Sequence, residues 1–240
     1  MALFGRRLAS PSAAVFGSGE GRASTDALDD LFAQEVTPVL APLGFVAAGP
    51  RKWVRSRHAP IRHVVEVQTL KGAVYSPLWY LSLDFVPHVT RSATAFHRTD
   101  KQAQRDLRYD PVDYIDAGPG FQPWTVNGLA PAPQLRKQAR ALARWTAPRA
   151  DKWLNEARTV ADLPAAFQRA NDRPFRRFGM ENYPQQRLAW AFAMAAVGLH
   201  EEATERLAAY LESSTQLSTD QSESLQKALH TAMAKEHPSD

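Results

Sequence analysis

The order of the sequence patterns predicts an α+β fold, in which an N-terminal helix packs on a small antiparallel sheet and a helical region follows. Three observations predict it. An amphipathic run covers residues 28–40, and three segments with alternating apolar residues follow it between residues 52 and 85. From residue 134 onward, apolar residues again recur at helical spacing. Because the connections between the strand-like segments are short, antiparallel pairing is favoured.

The first helix is predicted to begin at Ser24 or Thr25, since either side chain can cap a helix N-terminus. Its buried stripe would consist of apolar residues at helical spacing, namely Leu28, Leu31, Phe32, Val36, Val39 and Leu40. Pro38 lies inside this run and should kink or split the helix. We expect Gly44 to follow the helix in a left-handed conformation and Phe45 to pack back beneath it.

Three strands are predicted next, over residues 52–55, 62–68 and 79–85. Apolar and polar residues alternate along them, so one face of each strand would contact the helix. Gly72 and the Ser76-Pro77 pair are expected to form turns before the third strand.

A long loop with little regular structure is predicted over residues 87–133, because proline and glycine recur throughout this segment. A short strand around residues 124–126 fits the pattern. Loops of this length are usually functional or disordered, and the aromatic residues argue against disorder. Because aromatic side chains are common interface anchors, we expect an exposed partner-binding surface here. It would consist of Tyr109, Tyr114, Phe121 and Trp124.

The chain after residue 133 is predicted to be helical, with a break at Pro148. Helices are expected over residues 134–145, 151–157, 160–170, 184–197 and 219–234. Residues 198–203 are expected to turn into a further helix, with Ala203, Leu207, Tyr210 and Leu211 on its apolar face. The small-residue turn and the Glu-Glu-Ala sequence between Ala195 and Ala203 resemble those of a tetratricopeptide hairpin, over residues 184–211. One copy is found, whereas a solenoid needs about three, so an ordinary helical hairpin is the alternative.

Three segments describe the expected organisation: a flexible tail over residues 1–24, an α+β domain over 25–130 that includes the long loop, and a helical region over 134–240. The tail has the Arg- and Ser-rich composition of a transit-like leader, which is the alternative interpretation. Hydrophobic residues make up 44% of the chain, enough for a sizeable core. No apolar run reaches ~18 residues, so we expect no membrane partner. Cysteine is absent, which is typical of a reducing compartment and favours the cytoplasm.

A basic block lies beside an acidic one in the helical region. Residues 134–180 hold eleven basic and four acidic residues, and residues 181–240 hold four basic and nine acidic residues. The two blocks could attract one another within the fold. Alternatively, a basic helical face would bind nucleic acid through Arg136, Arg140, Arg144, Arg176 and Arg177.

No motif for catalysis, for a cofactor or for a metal is present in the sequence, so none is predicted. The seven histidines lack metal-ligand spacing. Asp110, Asp113 and Asp116 could gather a cation, but the spacing also suits a solvated turn. An enzyme of unknown reaction, with a site on the sheet, is the third alternative. Its candidate residues are Glu66, Asp84 and His63.

One resemblance covers residues 28–86. The turn at Leu43-Gly44-Phe45, the aromatic strand at Trp53, the Val65-Glu66-Val67-Gln68 strand and the alternating Leu81-Ser82-Leu83 strand are similar to a bacterial domain of unknown function, labelled DUF four-three-zero-four. The resemblance implies an immunity-like partner of a bacterial toxin. We therefore expect a non-enzymatic protein-binding module.

Overall fold

An antiparallel sheet lies at the centre of the fold, and helices cover one of its faces. The computed structural model describes residues 23–90, 93–113, 124–175 and 179–234. The strands are β1 (Val46–Gly49), β2 (Lys52–His58), β3 (Ile61–Leu70), β4 (Val74–Leu83), β5 (Pro87–Val89), β6 (Thr94–Phe96), β7 (Leu107–Tyr109) and β8 (Val126–Asn127). The helices are α1 (Thr25–Leu40), α2 (Ala132–Leu154), α3 (Leu163–Asp172), α4 (Pro184–Ala195), α5 (His200–Ser213) and α6 (Thr219–Ala234). The predicted α+β class is confirmed.

The main sheet of the described chain has six strands. Five of them follow the order β1-β2-β3-β4-β7, and the sixth, β8, pairs with β4 on the same edge as β7. Every pair is antiparallel, as the short connections predicted. β5 and β6 form a separate antiparallel hairpin. In the two long strands, Val65 lies opposite Trp79 and His63 lies opposite Leu81, so these side chains share the face that the helices cover.

Helix α1 begins as predicted, and it is not split at Pro38. The Ser24 hydroxyl accepts a hydrogen bond from the Ala27 backbone amide at 3.2 Å, which confirms the N-cap. Gly44 follows the helix end with a φ of 86°, a left-handed conformation that glycine adopts without strain. Pro38, by contrast, lies within one continuous helix. Both Pro38 and Gln34 are exposed, so the carbonyl that a proline leaves unbonded can be hydrated.

The break predicted at Pro148 is wrong, and Pro148 is tolerated in the same way as Pro38. Helix α2 continues from Ala132 to Leu154 with Pro148 inside it. Pro148 and Arg144, whose carbonyl loses its helical donor, are both exposed to solvent. Residues 145–156 therefore share one helix and its adjoining turn, which decides where the side chains of the site lie.

The turn predicted at Ser76-Pro77 is wrong as well, because this pair lies inside β4, where Pro77 is opposite Val67. On its other edge, β4 pairs with β8 at residues 74–75 and with β7 at residues 79–81. A proline fits between the two pairings because its missing N–H is not needed there. The turn before β4 is at residues 71–73, where Gly72 has a φ of 75° as its predicted turn requires.

The predicted long loop over residues 87–133 contains four strands in its described part, so the expectation of little regular structure is wrong. The short strand expected near residue 125 is confirmed at Val126–Asn127. β7 is three residues long and owes its conformation to pairing with β4. A strand this short carries too few residues for an alternating pattern to be recognised.

One large hydrophobic core lies between the sheet and the helices and includes residues from Leu28 in α1 to Leu229 in α6. Helix α2 packs on α1, β4 and β8, and the largely buried α4 packs on α3, α5 and α6. This core therefore continues across the boundary expected near residue 134. A smaller core covers the opposite face of the sheet and consists of Val54, Val64, Leu78, Tyr80 and Ala103.

Within the described residues, none of the helices combines the length and the apolar character that crossing a membrane requires.

Candidate functional site: an aromatic–basic pocket

The aromatic surface predicted to bind a partner is not exposed where the structure describes it. Tyr109 is 7% exposed and Trp124 is 4% exposed, and both are buried hydrophobic residues. Pairing of β7 with β4 brings Tyr109 against Trp79, and the two rings stack with centroids 4.8 Å apart. Tyr114 and Phe121 lie outside the described residues. The expected exposure of Tyr109 and Trp124 was wrong, because Tyr109 packs on Trp79 and Trp124 packs on Trp145.

Tyr109 nevertheless lies in the wall of a pocket of about 340 Å³. We call it the aromatic–basic pocket, and it is lined by Trp79, Tyr109, Trp145, Arg149, Lys152, Trp153, Glu156 and Arg173.

Three parts of the fold position these side chains. Neighbouring strands β4 and β7 contribute one stacked ring each. Residues 145, 149, 152, 153 and 156 follow the three- and four-residue steps of one helical face, and all belong to α2 or to the turn after it. Arg173 directly follows α3. The pocket thus depends on α2 remaining helical through Pro148.

Aromatic rings form the apolar part of the pocket. The Trp145 ring lies 6.1 Å from the Trp79 ring and 5.4 Å from the Trp124 ring, which supports it from behind. The Trp153 ring lies 6.3 Å from the Tyr109 ring at an angle of 54°. Ring centroids at 4.5–7 Å are typical of favourable aromatic pairs.

Two arginines stack on these rings. The Arg149 guanidinium carbon lies 4.5 Å from the centroid of the Trp145 ring, and that of Arg173 lies 5.0 Å from the centroid of the Tyr109 ring. One Arg149 nitrogen also donates to the Trp145 carbonyl oxygen at 3.1 Å. A guanidinium that stacks on a ring keeps its N–H groups pointing outward in its plane, where they can bind a carboxylate or a phosphate.

Positive charge dominates the lining. Glu156 is its one carboxylate, and it already pairs with Arg169 at 3.2 Å. Lys152 and Arg149 are exposed, and neither forms an ion pair with a carboxylate of the described chain. Because these two charges are not neutralised by the described residues, the pocket favours a negatively charged ligand.

Two buried hydrogen-bond donors in the same aromatic cluster lack a partner. The indole N–H groups of Trp79 and Trp124 donate to no acceptor among the residues described. An unpaired buried donor costs about 1–3 kcal/mol, so such groups are rare in folded proteins. The aromatic cluster therefore contains hydrogen-bonding capacity that the described fold leaves unused.

The basic face predicted to bind nucleic acid is partly engaged within the fold. Arg140 donates two hydrogen bonds to Glu35 of α1, at 2.9 Å and 3.2 Å, and Arg136 approaches the same carboxylate at 4.0 Å. These contacts link α1 to α2. Arg144 is exposed, while Arg176 and Arg177 lie outside the described residues.

The residues considered for an enzyme do not converge. His63 faces the helices, where its Nε2 lies 2.8 Å from the Ala157 carbonyl oxygen. Glu66 faces the other side of the sheet and accepts hydrogen bonds from Tyr80 at 2.8 Å and Arg105 at 2.7 Å. Asp84 pairs with Arg62. The described structure therefore brings no two of these three residues into one catalytic group.

His63 belongs instead to a buried polar group, which we call the Arg55–His63 cluster: Arg55, His63, Asp151 and Asn155. Arg55 donates to His63 Nδ1 at 2.7 Å, to Asp151 at 2.7 Å and to Asn155 at 3.0 Å. Since Nδ1 accepts from an arginine, the ring is neutral and its Nε2–H donates. Burial lowers the pKa of His63 to about 4, although the Ala157 carbonyl acts in the opposite direction.

The three aspartates considered for a cation are, where described, engaged in contacts within the protein. Asp110 accepts hydrogen bonds from the Gln68 side chain and, at 3.0 Å, from the Val112 amide. Asp113 accepts from Arg108 and from the Tyr183 hydroxyl, both at 2.7 Å. Asp116 lies outside the described residues. Among those that are described, no three acidic, histidine or cysteine side chains are arranged to hold a metal ion.

Sequence reasoning missed most of the pocket, although a signal existed. Trp145, Arg149, Lys152, Trp153 and Glu156 have the spacing of one helical face. The break expected at Pro148 divided this pattern into two separate helices. The partners from β4 and β7 are distant in sequence, so no local pattern could have joined them to this face.

The pocket is interpreted from its own geometry, because no family model, no curated protein and no solved structure matches the chain. The resemblance of residues 28–86 to a domain of unknown function stays a prediction. The same holds for the tetratricopeptide-like interpretation of α4 and α5, which the structure shows as a packed pair of helices.

Proposed function

We propose that this protein is a non-enzymatic binding module and that its aromatic–basic pocket holds an oxyanion group of its ligand, either a carboxylate or a phosphate. The observation that supports it is Arg149, whose guanidinium lies over the Trp145 ring, beside the exposed Lys152 in the pocket lining. The ring contact restricts the Arg149 guanidinium before a ligand arrives, which lowers the entropic cost of binding.

The surroundings of the cations also support binding. Aromatic walls exclude water from one side of the pocket, and an ion pair is stronger where less water screens it. A hydrogen bond between charged groups contributes about 1.5–3 kcal/mol where water is excluded, and about 1 kcal/mol or less at fully solvated side chains. Two or three such bonds are enough for a ligand of modest affinity.

The oxyanion could belong to a protein partner or to a nucleic acid, and we propose that either is met in the cytoplasm. The resemblance of residues 28–86 supports an immunity-like partner, and an acidic segment of that partner would present carboxylates to the same cations. Nucleic acid is the alternative, in which phosphates replace these carboxylates and exposed Arg144 extends the basic surface along α2. Both partners would use the pocket, so one set of variants tests them.

The first test is isothermal titration calorimetry of the full chain with inorganic phosphate and with citrate at low salt. Arg149→Gln should weaken binding by about tenfold, because one charge-assisted contact is lost. Lys137→Gln is the matched control, since it removes the same charge from an exposed position of the same helix outside the pocket lining. Absence of binding by either anion, or an equal loss in both variants, would contradict the proposal.

A second test separates the partners. The tagged protein and its Arg149→Gln variant are used to capture partners from native lysate, with and without nuclease. One stoichiometric protein that binds the parent but not the variant, and that survives nuclease, supports the protein candidate. Bound nucleic acid that is lost on nuclease treatment supports the other candidate.

A further inference from the structure

We infer that the ligand is a nucleoside phosphate, with its phosphate on the cations of the aromatic–basic pocket and its base against Trp153. This inference rests on the proposed function and names the ligand class that the pocket takes. It is carried by how the lining residues divide the pocket into a charged part and a flat apolar part.

The charged part is built on Arg149 and Lys152. The Arg149 guanidinium carbon lies over the Trp145 ring, one of its nitrogens donates to the Trp145 carbonyl oxygen, and its charge has no carboxylate partner among the described residues. Lys152 lies about one helical turn further along α2. A guanidinium and an ammonium side by side suit a phosphate, whose several oxygens accept hydrogen bonds from both. Arg173 adds a third positive charge to the lining.

The flat apolar part is Trp153. Arginines stack on Trp145 and Tyr109, so a ligand cannot use the ring faces that they cover. Trp153 is half-buried in the lining, and its described ring contact, with Tyr109, is tilted by 54° rather than stacked. No guanidinium of the described chain lies over its ring. This indole can therefore stack on a planar group, as aromatic residues do with nucleic acid bases.

Glu156 gives a further reason to expect a nucleoside. A carboxylate that pairs with one arginine still has lone pairs that can accept further hydrogen bonds. The hydroxyl groups of a ribose and the amino groups of a base are donors that a carboxylate can accept. Glu156 remains close to its partner Arg169, at 3.2 Å, and so has a defined position at the pocket.

The size of the pocket suits one nucleotide. Its volume of about 340 Å³ lies near the lower end of the ~300–1,000 Å³ range of small-molecule pockets. A single nucleoside phosphate has two sources, either a free mononucleotide or the phosphorylated end of a single strand. The two share the chemistry that the pocket recognises, and the test distinguishes them.

The test is calorimetric titration of the full chain with inorganic phosphate, ribose 5-phosphate, adenosine and uridine monophosphates, and a single-stranded tetranucleotide with or without a 5′-phosphate. We expect a monophosphate to bind about tenfold more tightly than ribose 5-phosphate. Trp153→Ala should abolish that difference and Trp153→Tyr should keep it, while circular dichroism checks that both variants fold.

Each outcome has a defined meaning. If phosphate, ribose 5-phosphate and the nucleotides bind equally well, oxyanion binding stands and the nucleoside inference is overturned. If none of them binds, the proposed function fails for phosphates and the inference fails with it, whereas citrate binding alone would preserve a carboxylate ligand. Binding of the phosphorylated tetranucleotide at the strength of a mononucleotide identifies a strand end, and much weaker binding identifies a free nucleotide.

Discussion

Two faces of the C-terminal end of α2 contact arginines in opposite ways. On one face, Asp151 and Asn155 hold Arg55, whose side chain also donates to His63 and to the Leu43 carbonyl oxygen. On the other face, Arg149 stacks on Trp145, and no carboxylate of the described residues pairs with it. The first arginine is 2% exposed, whereas the second faces solvent.

The difference shows how a structural cation is distinguished from an available one. A buried charge must have its partners within the protein, because removing it from water is costly. Arg55 meets this condition, and its contacts join the sheet to α2. Arg149 lies at the surface with its charge not compensated, so the same side chain chemistry remains free to bind a ligand.

The largest expected effect concerns the rings behind the pocket. Trp124→Ala should reduce the free energy of unfolding by about 3–5 kcal/mol, since Trp124 is buried against Trp145. Urea denaturation measures the change, and Leu129→Ala, at a residue 58% exposed in the same segment, is the control. If Trp124→Ala left stability unchanged but abolished partner binding, Trp124 would be an exposed binding residue, as the sequence predicted.

A somewhat smaller loss of unfolding free energy is expected when the Arg55–His63 cluster is disrupted. Arg55→Met leaves His63 Nδ1, Asn155 and Asp151 without their donor. Because the Asp151 carboxylate that remains is partly exposed, we expect a loss of about 2–3 kcal/mol rather than the full cost of breaking a buried ion pair. Arg57→Met removes an exposed arginine two residues away and should change stability by less than about 0.5 kcal/mol. Equal effects of the two substitutions would show that the Arg55–His63 cluster is not structural.

The pH dependence of stability tests whether His63 of the Arg55–His63 cluster is neutral in the folded protein. The pKa of His63 is lowered to about 4 in the folded protein, from about 6.5 when unfolded. The unfolded chain therefore binds an extra proton between these values, and stability should fall by up to about 3 kcal/mol as pH drops from 6.5 to 4. His63→Gln removes this titration, so urea denaturation of both proteins across that range isolates it. Parallel curves would contradict a neutral His63.

The smallest effect on stability is expected at the pocket itself. Arg149→Gln should change the free energy of unfolding by less than about 0.5 kcal/mol, because its charge has no described carboxylate partner. Thermal unfolding of this variant beside Arg55→Met measures the contrast directly. A loss at Arg149 as large as that at Arg55 would mean that the pocket arginine is structural and would end the comparison.

Local patterns were sufficient for much of the fold. The Ser24 cap, the left-handed Gly44 and the final helix over residues 219–234 were predicted because each depends on neighbouring residues alone. The split considered at Pro38 of α1 and the break predicted at Pro148 of α2 do not occur. An unbonded carbonyl costs less where water can reach it, and local sequence does not tell which carbonyls will be exposed.

The sequence by itself determined the α+β class, the antiparallel order of β2, β3 and β4, and most of the helices, since short-range periodicity specifies them. Only the tertiary structure decided that Tyr109 and Trp124 are buried and that Trp79 stands beside Arg149 and Trp153. The physical reason is that burial and convergence come from pairing between distant segments. β7 acquires its place from β4, and the pocket exists because α2 packs across that pair.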